Sequence, residues 1–183
     1  MAIVPINVHE VSRQRQVRSI SPQNNGENKA TAAQSSELKA QQRRELIARR
    51  TALTPQQRQI RSEQLTRELM AWLTDCVEQT ATIALYWAFE GEIDLQPLMD
   101  RWRAQGGRVL LPIVHEKNAP LLFAPYRGLT SMQKGAYGIL EPMYDENELI
   151  AASEGISILF APCVGFNVAG YRLGYGGGYY DRT

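Results

Sequence analysis

The sequence predicts an α/β fold, a mostly parallel sheet flanked by helices. Three observations carry that expectation. Short apolar runs alternate with helical segments from Ala81 onward. One of the runs, ISILFAP (Ile156 to Pro162), is apolar without interruption, as strands covered on both faces are. The helices carry recognisable start and stop residues.

The elements follow in order. Residues 1–36, rich in Gln, Asn, Ser and Ala with little periodicity, read as a disordered arm. Arg13, Arg15 and Arg18 give that arm a faint resemblance to an organelle transit peptide, against which stand Glu10 and the lack of an amphipathic pattern; no secretory signal is present. Order is expected from Glu37, where ELKAQQRRELIARR carries good helix formers, with Leu38, Gln41, Glu45 and Ala48 at helical spacing. A second helix is announced by Thr54 as N-cap, Pro55 at the first helical position and Gln57 completing a capping box. Its apolar face is Leu65, Leu69, Trp72 and Leu73. ATIALYWAF, from Ala81, predicts a buried strand, and Asp94 then caps a helix closed by Gly106 and Gly107. RVLLPIV (Arg108 to Val114) and LLFAPY (Leu121 to Tyr126) predict strands, and a short helix is expected around Glu146 to Ala152 before ISILFAP. In open sheets of this kind, ligands collect beyond the carboxyl ends of the strands.

Size and composition narrow the function. A chain of 183 residues with 44% hydrophobic content suits one domain with a real core after its arm. A net charge of +1 demands neither nucleic acid nor membrane, and no apolar run approaches spanning length. The charge is uneven: twelve Lys/Arg face six Asp/Glu up to Trp72, and eight face thirteen beyond it. An anionic ligand near the N-terminal helices would fit that asymmetry, although a solvated helix face accounts for most of those charges. Cys76 and Cys163 lie far apart, and His9 and His115 are the only histidines, so a disulfide scaffold and a Cys/His metal centre are set aside. A reducing, cytoplasmic location follows.

The stretch RLGYGGGYYD, Arg172 to Asp181, carries the chemistry. Its glycines Gly174, Gly176, Gly177 and Gly178 let backbone amides turn toward an anion with no Cβ in the way. Arg172 offers a planar fork for phosphate oxygens, and Asp181 a hard oxygen for magnesium. Neither common phosphate-loop spelling is present: no Gly-Lys-Ser/Thr ending occurs, and Tyr179 stands where a dinucleotide fingerprint needs its third glycine. Taken bare, the loop is a phosphate site or a tight structural turn.

The run GFNVAGYRLGYGGGYYDR resembles the signature of the 5-formyltetrahydrofolate cyclo-ligase family, also called 5,10-methenyltetrahydrofolate synthetases. The likeness extends through GILEP (Gly138 to Pro142), YWAFEGEID and KAQQRR, covering roughly Glu37 to Thr183. It implies a sheet of the general kind shared with sugar-phosphate isomerases and CoA transferases. It also implies an ATP- and Mg2+-dependent conversion of 5-formyltetrahydrofolate, polyglutamylated or not, to 5,10-methenyltetrahydrofolate with release of ADP and phosphate. By the same resemblance Lys39 and Arg43 reach the ATP phosphates and Arg172, Leu173, Gly174, Tyr175, Gly176, Gly177, Gly178, Tyr179 and Tyr180 form the nucleotide loop. The folate shares Tyr175 to Tyr179 of that loop and adds Trp87 and Glu92; Asp181 holds the metal. Lys39 and Arg43 share one helix face by their i, i+4 spacing. Glu141, in the GILEP turn, could line the nucleotide site, and Cys163 is structural. Gln42 departs from the apolar residue the family usually has before that arginine. Family members continue for a few dozen residues after the YYD motif to a late metal-binding aspartate, so the resemblance implies a C-terminally truncated chain. The alternative is therefore a catalytically impaired folate- and nucleotide-binding fragment or pseudoenzyme. In either case the expected partners are small molecules, with a monomeric protein and no nucleic acid or membrane.

Overall fold

The computed structural model describes residues 27–183. Most of the N-terminal arm, with Arg13, Arg15 and Arg18, lies outside the described residues. The first helix, α1 (Glu27–Thr51), starts ten residues before the expected Glu37, so the last part of the expected arm is helical. Helix α2 (Pro55–Cys76) opens as its sequence dictates: the Thr54 hydroxyl accepts from the Gln57 amide at 3.2 Å while the Gln57 side chain accepts from the Thr54 amide at 2.9 Å.

A five-stranded sheet follows. Strand β1 (Thr82–Ala84) comes first, and after α3 (Gln96–Ala104) comes the central strand β2 (Arg108–Ile113), parallel to β1 in the register Ile83 to Val109. Strand β3 (Leu122–Pro125) turns back antiparallel to β2. A hairpin of β4 (Met132–Lys134) and β5 (Leu140–Pro142) stands apart from the sheet. Then β6 (Ile150–Ala151) pairs antiparallel with β3, and β7 (Ile158–Leu159) pairs parallel with β1. The order is β6-β3-β2-β1-β7. The fold is α/β with flanking helices, as expected, but parallel pairing is confined to the β2-β1-β7 side and the other edge is antiparallel. A tight connection from β2 to β3 (Val114 to Leu121) is too short for a helical crossover, which forces the reversal.

Two expected elements differ locally. The helix expected around Glu146 to Ala152 is a single 3-10 turn, Glu146–Glu148, followed by β6. GILEP is not merely a turn, since its last three residues form β5. A second hairpin, β8 (Gly165–Phe166) with β9 (Arg172–Leu173), and a closing turn of helix, α4 (Tyr179–Arg182), bracket the glycine loop.

Period-two alternation explains why the central strands are apolar throughout. Ile83, Leu85, Val109, Leu111, Ile158 and Phe160 face one side, where Leu69 and Leu73 of α2 and Leu98, Met99 and Trp102 of α3 cover them. Ala84, Leu110 and Leu159 face the other side with Leu121 and Phe123, and there Tyr179 and Tyr180 pack against them. The glycine-rich signature is thus anchored to the sheet by its own last tyrosines. Trp102 is fully buried and donates from its indole N–H to the Ala81 carbonyl at 3.0 Å. A Cβ at residue 107 would sit 2.1 Å from that indole nitrogen, so glycine is required there.

Burial of α2 on the sheet sets the stability of this layer. Leu73→Ala, at a fully buried position, should lower the free energy of unfolding by about 3 kcal/mol through lost transfer energy and a residual cavity. Thr54→Ala should cost about 1 kcal/mol. Urea titrations followed by circular dichroism, with slopes unchanged from the parent, check both values.

Candidate functional site

The carboxyl ends of β1 and β7 lead into the two segments singled out by sequence. After β1 the chain runs through Trp87 to a tight turn with positive φ at Glu90 (47°) and Gly91 (75°), which presents Glu92. After β7 it passes Cys163 into the β8–β9 hairpin and the glycine loop. Helix α1 lies across both.

Glu92 is the centre of this arrangement. It is only 6% exposed. One carboxylate oxygen accepts from the Phe89 amide at 3.0 Å, and the other accepts from the Tyr175 hydroxyl at 2.8 Å. Arg50 of α1 brings a guanidinium nitrogen to 3.6 Å from that second oxygen. The same arginine donates to the Glu90 carbonyl at 3.1 Å and to the Tyr175 hydroxyl, and its guanidinium lies 5.5 Å from the Tyr175 ring centroid. Burial raises the Glu92 carboxyl above its ordinary pKa; the Tyr175 and Phe89 hydrogen bonds and the Arg50 charge oppose that shift without cancelling it. Burial, with Glu92 adding to it, also holds the phenols of Tyr86, Tyr175 and Tyr180 well above theirs, so all three are neutral.

Glu92 also forms part of the wall of an open cleft of about 500 Å³, bounded by Ile47, Thr51, Arg58, Ala88, Glu90 and Gly91. That volume suits a small molecule.

The glycine loop is open at Gly174, while at Gly178 a Cβ would sit 2.7 Å from the Arg182 guanidinium. Gly176 (φ 105°) and Gly178 (φ 68°) take left-handed conformations that L side chains rarely adopt. No atom lies within 4 Å of where a Cβ on Gly174 would be. The Gly174 carbonyl is fixed instead by Arg43 of α1, whose Nε donates to it at 2.7 Å. Arg182 donates to the Gly177 carbonyl at 2.8 Å and stacks over the Tyr179 ring at 5.0 Å. Tyr137, at the tip of the β4–β5 hairpin, reaches the loop from outside. It has φ 57°, and its hydroxyl lies 2.8 Å from that of Tyr179.

The structure brings Arg43, Gly174, Tyr175 and Glu92 together. Lys39 is exposed one turn before Arg43 on α1. Arg172 and Asp181 form an ion pair with each other. Trp87 is half-buried against the core, with its ring 6.3 Å from that of Tyr126, and is not part of the cleft wall. The Tyr180 hydroxyl is buried and has no hydrogen-bond partner among the described residues. Glu141 is half-buried beside Gly135, raised in pKa by that burial. Cys163 is half-buried, and burial, then Glu92, raise its thiol, which leaves it protonated and unreactive.

Among the described residues no three His, Cys, Asp or Glu side chains converge into an all-protein metal cage. A single exposed carboxylate, Asp181, fits magnesium of the nucleotide-borne kind, which takes one or two protein oxygens and completes its shell from phosphates and water.

Sequence reasoning missed Arg50, Tyr137 and Arg182. For Arg50 a signal existed: it follows Arg43 by seven residues, two turns along the same helix face. That face, with Arg43, Leu46, Ile47 and Arg50, is the one turned inward, and Leu38 is exposed.

The chain is similar to proteins of known family. The 5-formyltetrahydrofolate cyclo-ligase of Escherichia coli K12 is 39% identical over 137 residues, 74% of this chain and 73% of that protein. The solution structure of 5,10-methenyltetrahydrofolate synthetase from Aquifex aeolicus superposes with a TM-score of 0.66 at 30% identity, covering 79% of this chain and 71% of that one. The synthetase from Mycoplasma pneumoniae shares the fold, with a TM-score of 0.55 at 23% identity over 79% and 75% of the two chains. Residues 35–183 match the profile of the 5-formyltetrahydrofolate cyclo-ligase family, and the chain belongs to it.

Proposed function

We propose that this protein converts 5-formyltetrahydrofolate to 5,10-methenyltetrahydrofolate, with ATP going to ADP and phosphate. The observation that carries this reading is the hydrogen bond from Tyr175 of the glycine loop to buried Glu92. It joins a phosphate-binding backbone to a carboxylate suited to an amino-pyrimidine edge.

The chemistry asks for positioning and charge neutralisation. A formamide oxygen is a poor leaving group, so it is first phosphorylated: the formyl oxygen bonds to the γ-phosphorus and ADP departs. N10 then bonds to the formyl carbon, the C–O bond breaks, phosphate leaves, and N10 releases its proton. None of these steps needs a covalent residue on the protein. Lys39, Arg43 and Arg172 would receive the nucleotide's phosphates, with Leu173 to Tyr180 as the backbone cradle. Arg172 would exchange Asp181 for a phosphate oxygen, releasing the carboxylate for magnesium. Magnesium, when bound there, would neutralise charge on the phosphate oxygens. Glu92 would hold the amino-pyrimidine edge of the folate. Trp87 would act from behind, by keeping the strand end rigid.

This reading places the protein in the cytoplasm as a monomer with small-molecule ligands, the folate carrying one or more glutamates. Both cysteines are free, and no helix among the described residues is long and apolar enough to cross a membrane.

The first test is direct. Purified protein mixed with 5-formyltetrahydrofolate and MgATP should generate methenyltetrahydrofolate, seen by absorbance, and no product should form when ATP is omitted. Turnover without ATP, or none with both ligands bound, would remove the proposal. Arg172→Ala should lower kcat/KM by at least about a hundredfold, as losing a preorganised charge donor does; Arg43→Ala should raise the KM for ATP more than that for folate. Glu92 must be ionised to accept the pyrimidine edge. Because its pKa is raised, the KM for folate should increase as pH falls through that raised value and be lowest above it. Glu92→Gln should weaken folate binding and abolish that acid dependence in a pH series of KM.

A further inference from the structure

Arg50 has no place in the glycine signature, yet it contacts Glu90, Glu92 and Tyr175. Its guanidinium is nearly buried, with the side chain 11% exposed. One nitrogen donates to the Glu90 carbonyl, which fixes the turn presenting Glu92. A second donates to the Tyr175 hydroxyl, and that hydroxyl in turn donates to Glu92. The third, Nη1, is buried 3.6 Å from the Glu92 carboxylate with no hydrogen-bond partner among the described residues. A buried guanidinium with one N–H group uncommitted is costly unless a partner completes it. The nearby acceptor is the Glu92 oxygen that Tyr175 now occupies.

We propose that Arg50 is the positioning residue of the folate carboxylate: it holds Glu92 ionised and oriented for the substrate's amino-pyrimidine edge, and couples that acceptor to the glycine loop through Tyr175. When Tyr175 yields its place on Glu92 to the substrate, Nη1 closes on the same carboxylate and replaces the lost donor. Arg50 touches no reacting atom; it acts through Glu92. The inference rests on the reading of Glu92 as the folate acceptor.

Among the described residues Arg50 is the cation that acts on Glu92; Arg58 of α2 lines the same cleft, but its guanidinium donates to the Leu53 carbonyl. Tyr175 from the glycine loop, Tyr86 beyond β1 and Tyr180 from α4 are neutral phenols. Cys163 beyond β7 is a protonated thiol, and Glu90 is a like charge on the same turn. The Arg172 charge acts on Tyr180 and Cys163, where it opposes the effect of burial, and it is paired with Asp181. Removing the guanidinium therefore leaves burial and Glu90 acting on Glu92 with only hydrogen bonds to oppose them.

Two readouts on the full chain test this. The Glu92 carboxyl titration is followed by carbon NMR of glutamate-labelled protein, with Glu92→Gln identifying the signal. The dissociation constant of 5-formyltetrahydrofolate is measured by calorimetry across the same pH range. In Arg50→Gln the Glu92 midpoint should move to higher pH. Folate binding should weaken by about tenfold or more at neutral pH and recover toward the parent value in alkaline buffer. Arg50→Lys, which keeps the charge, should leave the midpoint near that of the parent; it also serves as the second variant if Arg50→Gln does not fold. An unmoved midpoint in Arg50→Gln, or a loss of affinity equal at every pH, would overturn the inference. If the parent binds no folate while the midpoint still follows Arg50, the folate reading of the site falls and the Arg50–Glu92 coupling stands.

Discussion

A carboxylate taken out of water is the constraint around which this site is built. Burying Glu92 forfeits hydration worth several kcal/mol unless donors replace it, and the chain supplies them from three directions. The Phe89 amide comes from its own turn, Tyr175 from the glycine loop and Arg50 from α1. Satisfying one charge therefore fixes the relative placement of three segments. Helix α1 makes few apolar contacts with the sheet; its inward face carries Arg43 and Arg50 beside Leu46 and Ile47. Its position follows from the polar groups it completes, together with Leu46, which fits against Gly165 where a Cβ would leave 2.7 Å.

The glycine loop is rigid at its ends and open between them. Tyr179 and Tyr180 are packed on the sheet, β9 is paired with β8, and Arg43 holds the Gly174 carbonyl. Between those anchors two left-handed glycines turn the backbone, and the Arg182 side chain lies against Gly177 and Gly178. Under the proposed function such a loop would offer its backbone amides to the nucleotide's phosphates, and phosphoryl transfer relies on positioning of that kind. The Arg172–Asp181 pair satisfies both charges at the end of the loop. Tyr137 adds a contact from the β4–β5 hairpin, which ties a third segment to the loop's last turn.

Much of this was legible in the amino-acid order because it is local or periodic. The Thr54 capping box, the α2 apolar face, the two-sided apolar strands and the glycine signature depend on neighbours within a few residues or on a fixed repeat. So do the loop glycines as phosphate candidates, whereas Arg43 came from the family resemblance. Less was legible where a strand's partner decides its state. GILEP and the segment from Glu146 carry no period that separates turn, strand and helix, and their pairing with β4 and β3 settled the matter. The antiparallel edge had the same origin: the short β2–β3 connection sets direction, and no side chain announces it.

The sequence by itself determined the flanking helices, the apolar strands of the sheet and the place of the glycine loop, since hydrophobic period and backbone freedom are properties of the residues alone. Only the tertiary structure decided which face of α1 turns inward, that Trp87 packs on the core, and that Arg50, Glu92 and Tyr175 meet. Tyr175 lies 83 residues from Glu92 and 125 from Arg50 along the chain. Their meeting comes from the requirement that a buried charge be fully partnered. That requirement acts through space, so no local pattern in the chain can display it.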